Sequence, residues 1–151
     1  MTDANRARQS SKRSRGGGNA ATDLRPNGSA QLERRRSAER RGLRAEWLAA
    51  LWLMLRGYRV LARRVRTPAG EVDLVVRRGS VVVAVEVKAR ATLDAALDSV
   101  SSRQRHRVAL GLESFLARRP ELAGLNRRFD LVAVQPWRLP VHLADVWRPR
   151  R

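Results

Sequence analysis

The residues with the clearest chemical potential are packed into one stretch, Gly70 to Lys88, which reads G-E-V-D-L-V-V-R-R-G-S-V-V-V-A-V-E-V-K. Two valine-rich runs flank Arg77-Arg78-Gly79-Ser80, the pattern of a hairpin of two largely buried strands. Into this apolar hairpin the chain places Glu71, Asp73, Glu86 and Lys88. With Arg78-Gly79 as a two-residue turn, facing residues have numbers summing to 157, so that Asp73 opposes Ala84 and Glu71 opposes Glu86. Side chains two apart share a face, so all four charged groups are expected on one side of the hairpin, with Asp73 and Glu86 diagonal neighbours.

Two carboxylates in an apolar sheet repel each other and are costly to desolvate unless a cation or donor compensates them. A bound metal ion is one physical reason for the pattern. Its kind is bounded by composition: the chain has no cysteine and only two histidines, His106 and His142, so oxygen ligands and a hard ion, Mg2+ or Mn2+, are expected. The face assignment depends on register, because a one-residue slip would send Asp73 to the other side.

Positioning such a hairpin requires flanking elements. From Ser37 to Arg56 the spacing of Leu48, Leu51, Trp52 and Leu55 predicts a helix ended by Gly57. Trp47, Leu53 and Met54 extend its apolar surface almost all round, so it is expected to be buried, with its tryptophans in the core. Glu46 precedes the apolar run, and pattern alone reads it as an exposed glutamate near the helix start. Tyr58 to Arg66 reads as a strand, and Pro68-Ala69-Gly70 as the turn into the hairpin. After Lys88, Thr92 to Val100 is a linker or short helical turn. Ser101 or Ser102 caps a second long helix that Pro120 stops, with Val108, Leu112, Phe115 and Leu116 as its inward stripe. Residues 128–135 read as a further strand with Asp130 in a structural role, and 141–146 as an edge strand. The expected fold is α/β: a mixed sheet of four to five strands flanked by two long helices.

Charge constrains the partner. The 151-residue chain carries 32 Lys and Arg against 14 Asp and Glu, a formal net charge of +18. Such a balance favours a polyanion, nucleic acid first. Residues 1–36 hold nine basic and three acidic groups and few apolar ones, and are expected to be a disordered basic tail preceding one domain over 37–151. The domain stays basic without the tail. Candidate phosphate contacts are Arg63, Arg64 and Arg66 at the end of the first strand, Arg90 after the hairpin, and Arg103, Arg105 and Arg107 at the start of the second long helix. The longest strongly apolar run, Trp47 to Leu55, is too short for a membrane span, so a cytoplasmic protein without a membrane partner is expected. Neither a glycine-rich phosphate loop nor a Ser-His-Asp set occurs, which argues against P-loop and acyl-hydrolase chemistry.

Four blocks taken in order, G-L-R-A-E-W-L-A at 42–49, G-E-V-D-L-V at 70–75, V-A-V-E-V-K-A-R at 83–90 and R-F-D-L-V-A-V at 128–134, resemble the YraN family of small bacterial proteins. That family is itself similar to nucleases with a restriction-endonuclease-like, PD-(D/E)xK, core. The resemblance runs from Ala38 to Trp147. It implies that Asp73 and Glu86 bind the metal, that Lys88 orients or helps deprotonate the attacking water, and that Glu46 reaches the same site from the first helix. Glu71 becomes an auxiliary carboxylate. The implied activity is metal-dependent hydrolysis of DNA phosphodiesters, including branched or structured DNA. The alternative is a non-catalytic nucleic-acid-binding protein on the same scaffold. Nucleases of this fold commonly act as dimers, which leaves a homodimer open. The chain departs from the family where many members carry a Gly- and Pro-containing loop and a lysine at the next helix start: here Thr92 to Val100 is followed by Arg103-Gln104-Arg105.

Overall fold

A computed structural model describes residues 28–148. Helix α1 (Gly28–Leu55) is followed by strands β1 (Arg59–Arg66), β2 (Glu71–Arg78) and β3 (Val81–Ala89). A short helix α2 (Leu93–Asp98), the long helix α3 (Ser102–Leu116), a 3-10 turn (Pro120–Leu122), β4 (Asn126–Val134) and β5 (Val141–Leu143) complete it. The five strands form one sheet in the order β1-β2-β3-β4-β5, with β3 and β4 parallel and every other pair antiparallel. This is the expected mixed sheet with long helices. Among the described residues no helix is long and apolar enough to cross a membrane.

The sheet has two buried faces. On one, Val75, Ala84, Leu131 and Ala133 pack against Val108, Leu112, Phe115 and Leu116 of α3, the stripe predicted from spacing. On the other, Leu74, Val76, Val83, Val85 and Val132 pack against Ala49, Ala50 and Leu53 of α1. Helix α3 starts where serine chemistry allows: Ser101 Oγ accepts the Gln104 N–H at 3.2 Å, and Thr92 Oγ1 caps α2 in the same way. Helix α3 crosses the start of β2 closely enough that a Cβ added to Gly70 would stand 1.9 Å from the Arg107 carbonyl oxygen.

Three expectations need correction. Helix α1 begins at Gly28, so residues 28–36 are helical rather than part of a disordered tail; the rest of that tail, 1–27, lies outside the described residues. The Gln, Leu, Glu and Arg residues of this segment are good helix formers, so a coil reading based on low hydrophobicity misjudged it. Helix α1 is also not buried all round. Small residues (Ala45, Ala49, Ala50) and Leu53 face the sheet and let the helix approach it, while Trp47, Leu48, Leu51, Met54 and Leu55 are exposed. Of the tryptophans, Trp147 is buried against Phe129, but Trp47 is 62 % exposed and lies under the Arg63 guanidinium, 3.8 Å from it.

The third correction is register. The turn is Gly79-Ser80, with Arg78 paired to Val81, so facing residues sum to 159 rather than 157. Gly79 takes φ 57°, which suits the first central position of a type II′ turn. A shift of two keeps the paired residues 74–78 and 81–85 on their expected faces, and Glu71, Asp73, Glu86 and Lys88 lie beyond the last pair.

Asp130, read as structural, is fully buried in a polar knot. Arg128 donates to both its oxygens at 2.8 and 2.7 Å, His142 Nε2 lies 2.7 Å from Oδ2, and the Asp145 N–H donates at 2.9 Å. Arg128 also donates to the Tyr58 hydroxyl at 2.7 Å. The knot ties β5 and the following segment to β4 at the edge of the sheet.

Candidate functional site

The β2–β3 ladder runs from the turn only as far as Leu74 opposite Val85. Beyond that point the Asp73 carboxylate replaces a backbone acceptor: Oδ2 accepts the Val87 N–H at 2.8 Å. On the neighbouring strand the β1–β2 register shifts between Val60 and Ala62, and Arg64, opposite Asp73, takes φ 51° in the left-handed region.

Beyond the last β2–β3 pair, Asp73 and Glu86 lie close enough to influence each other's titration. Glu86 is 4 % exposed. Burial first, and then the neighbouring Asp73 charge, push its pKa up to about 7, with Lys88 opposing. The Asp73 carboxyl is raised as well, chiefly by burial, against the pull of the Val87 N–H and Lys88. Lys88 Nζ lies 2.8 Å from Glu86 Oε1.

A further partner is absent from the residues that sequence reasoning singled out: Gln104, in the first turn of α3, donates its side-chain amide to Glu86 Oε1. It sat in plain view between Arg103 and Arg105, but charge drew attention to its neighbours. Only the packing of α3 across the sheet shows that position 104 turns inward.

Glu46 lies in the middle of α1, so a helix-start role does not apply. Its Oε2 is buried without a hydrogen-bond partner, and the nearest cation is Arg64, whose Nε is 3.7 Å away. Burial, then the Asp73 charge, raise its pKa, opposed by Arg64, Arg63 and Arg66. Glu46, Asp73 and Glu71, with Arg64 and Arg66, line a hollow of about 130 Å3. Glu71 pairs with Arg107 at 3.5 Å on the half-exposed rim. Among the described residues no three acidic or imidazole groups converge tightly enough to make a closed metal cage. The arrangement is a carboxylate pair with a third carboxylate nearby. Mg2+ is usually held in this way, by one or two carboxylates, waters and substrate phosphates.

The arginines divide by environment. Arg63 is half-buried, stacked on Trp47, with its Nε lacking a partner, which takes it out of the exposed set. Arg64 is engaged with Glu46, and Arg107 with Glu71. Arg66, Arg90, Arg103 and Arg105 are exposed, Arg105 also donating to the Val100 carbonyl at 3.2 Å. His106 is exposed as expected.

Comparison with known proteins follows the same blocks. The profile described as Uncharacterised protein family UPF0102 matches residues 45–134, the span holding Glu46, Asp73, Glu86, Lys88 and Gln104. The chain is 56 % identical over 116 residues to a UPF0102 protein of Paramagnetospirillum magneticum, covering 74 % of this chain and 90 % of the relative. It is 55 % identical over 113 residues to one of Parvibaculum lavamentivorans, covering 75 % and 85 %. It is 50 % identical over 121 residues to one of Chelativorans, covering 80 % and 97 %.

Proposed function

The chain belongs to UPF0102, the YraN family, and on that premise we propose that it is a divalent-metal-dependent DNA endonuclease on a restriction-endonuclease-like core. One observation carries the reading. Two carboxylates from adjacent strands, Asp73 and Glu86, lie close together largely out of water, with an ammonium, Lys88, against Glu86. Burying two acids side by side is unfavourable, and burial raises the pKa of both. A purely structural pair would be better replaced by apolar residues.

The donor set fits a hard cation. Glu86 and Asp73 offer neighbouring carboxylate oxygens, and Glu46, whose Oε2 lacks a hydrogen-bond partner, lines one hollow with Asp73. Asp73 and Glu86 would hold Mg2+ or Mn2+, with Glu46 available to a bound water. When bound, such an ion supplies Lewis acidity toward a phosphodiester and lowers the pKa of water. The protein's own groups do the rest. Gln104 and Lys88 hold the Glu86 carboxylate from two directions, and the Val87 N–H holds Asp73. Lys88 places a positive charge where negative charge grows on the phosphoryl oxygens. The exposed Arg66, Arg103 and Arg105 attract the backbone of the substrate.

Incubating the full chain with branched, single-stranded and duplex DNA in Mg2+ or Mn2+ tests the reading. Incision is expected, reduced by roughly 100-fold or more in Asp73→Asn and Glu86→Gln. Incision no faster than in those variants would refute it. Salt-sensitive DNA binding without incision would instead favour the non-catalytic binder, a reading supported by the net charge of +18.

A further inference from the structure

A second hollow opens on the other side of Lys88, between α1 and the end of β3. It has a volume of about 330 Å3, and Ala38, Arg41, Gly42, Lys88, Ala89 and Arg90 contribute to its wall. Its charge is the reverse of the first. The hollow around Glu46, Glu71 and Asp73 is rich in carboxylates, whereas this one takes three cations and no acid from its lining. Its size falls within the range of small-ligand sites, about 300 to 1,000 Å3.

The space has a local origin. Gly42 is one turn from Ala38 on α1, and a Cβ placed on Gly42 would meet nothing within 4 Å. The floor is fixed, because the Arg90 N–H donates to the Val134 carbonyl at 3.2 Å. Arg90 spends one terminal nitrogen on the Ala89 carbonyl at 2.8 Å, which orients the guanidinium and leaves its other N–H groups for a ligand. Lys88 is shared between this hollow and Glu86, so its charge is partly offset, and Arg41 and Arg90 carry most of the attraction for an anion.

We propose that this cavity binds the nucleotide adjacent to the phosphodiester held at Asp73 and Glu86, gripping its phosphate with Arg41 and Arg90. The inference rests on the nuclease reading for the order of the strand, but not for binding itself. Val87 and the two alanines provide an apolar wall for sugar and base, while two guanidiniums form charge-assisted hydrogen bonds to phosphate. The ligand class is therefore a single-stranded, phosphate-bearing nucleotide unit. A strand laid across Glu86 and Lys88 enters this hollow with its next residue.

The test uses the isotope-labelled full chain in the presence of a chelator, so that no metal and no cleavage intervene. The probe is a 5′-phosphorylated thymidine dinucleotide, with the unphosphorylated dinucleotide and inorganic phosphate as comparison arms. Saturable amide shifts are expected at Ala38, Gly42 and Ala89, with the phosphorylated dinucleotide binding about tenfold more tightly than either comparison. Arg41→Ala and Arg90→Ala should each weaken it by about fivefold or more while leaving distant amides unmoved, and Arg118→Ala should have no effect. Shifts centred elsewhere, equal binding of inorganic phosphate, or wild-type affinity in both variants would overturn the proposal. Binding here without incision in Mn2+ would defeat only the nuclease reading; incision without binding here would defeat only this one.

Discussion

Replacing Glu86 by glutamine should stabilise the metal-free protein, increasingly so as pH rises from 4.5 to about 7. Glu86 is buried, and its pKa is raised from 4.5 to about 7 by burial and by Asp73. Between those values the folded protein holds a proton that the unfolded chain has released, so stability falls as pH rises. The favourable contribution is fully present below pH 4.5 and is lost on passing pH 7. A shift of this size corresponds to about 3 kcal/mol, without discount for solvent screening because the group is almost fully buried. Glutamine keeps the shape, still accepts from Gln104 and Lys88, and cannot ionise. Asp73 is raised in the same direction, chiefly by burial.

Guanidinium unfolding followed by tryptophan fluorescence, in chelator from pH 4.5 to 8, makes the comparison. The two proteins should agree within about 1 kcal/mol at the acid end and diverge to about 3 kcal/mol, Glu86→Gln the more stable, at the alkaline end. Because both carry the same excess of arginine, general charge repulsion cancels in the difference. A difference that is independent of pH, or that favours the wild type at pH 8, would refute the argument that burial and Asp73 load this carboxyl with unfavourable energy. Mn2+ should then close the gap by stabilising the wild type alone.

Other outcomes follow from particular contacts. Asp130→Asn leaves Arg128 without its buried anion and should cost about 3 to 5 kcal/mol in chemical denaturation. For Asp130 itself burial raises the pKa, but the hydrogen bonds from His142, Arg128 and the Asp145 N–H outweigh it and hold the carboxyl below the ordinary 3.8. Its stabilisation is thus present above pH 3.8 and lost as pH falls further, which acid unfolding of wild type against Asp130→Asn should register. Gly70→Ala drives a methyl group against the α3 backbone and should cost about 1 to 3 kcal/mol, lowering the melting temperature, whereas Gly42→Ala should not. Duplex DNA binding should weaken with salt at a log–log slope of about 0.9 per neutralised phosphate, and Arg103→Ala should reduce that slope by about one contact when binding is titrated at several salt concentrations.

Short-range rules carried much of this molecule. Alternation set the faces of residues 74–78 and 81–85, and those faces survived a turn misplaced by one residue, because the register moved by two and parity was kept. Ser101, Pro120 and the stripe at 108, 112, 115 and 116 marked α3, since caps, stops and 3.6-residue periodicity act within a few residues. The family blocks, rather than any spacing, pointed Glu46 toward the site.

Other features depended on segments far apart in the chain. Helix α1 lays Ala45, Ala49, Ala50 and Leu53 on the sheet and leaves Leu48, Leu51 and Leu55 outside, an orientation set by how closely a helix can approach the strands and hidden from an apolar count. The left-handed backbone of Arg64 opposite Asp73, the Val87 N–H held by a side chain, and the inward turn of Gln104 each need two elements already docked. The basic hollow needs α1 and β3 together, although nothing in either segment alone marks Arg41 as different from the arginines around it. Local sequence thus settled the strands, the turn region and the helix caps. Tertiary packing decided which charged groups lose water and find each other, because desolvation and through-space charge depend on neighbours that the chain brings from a distance.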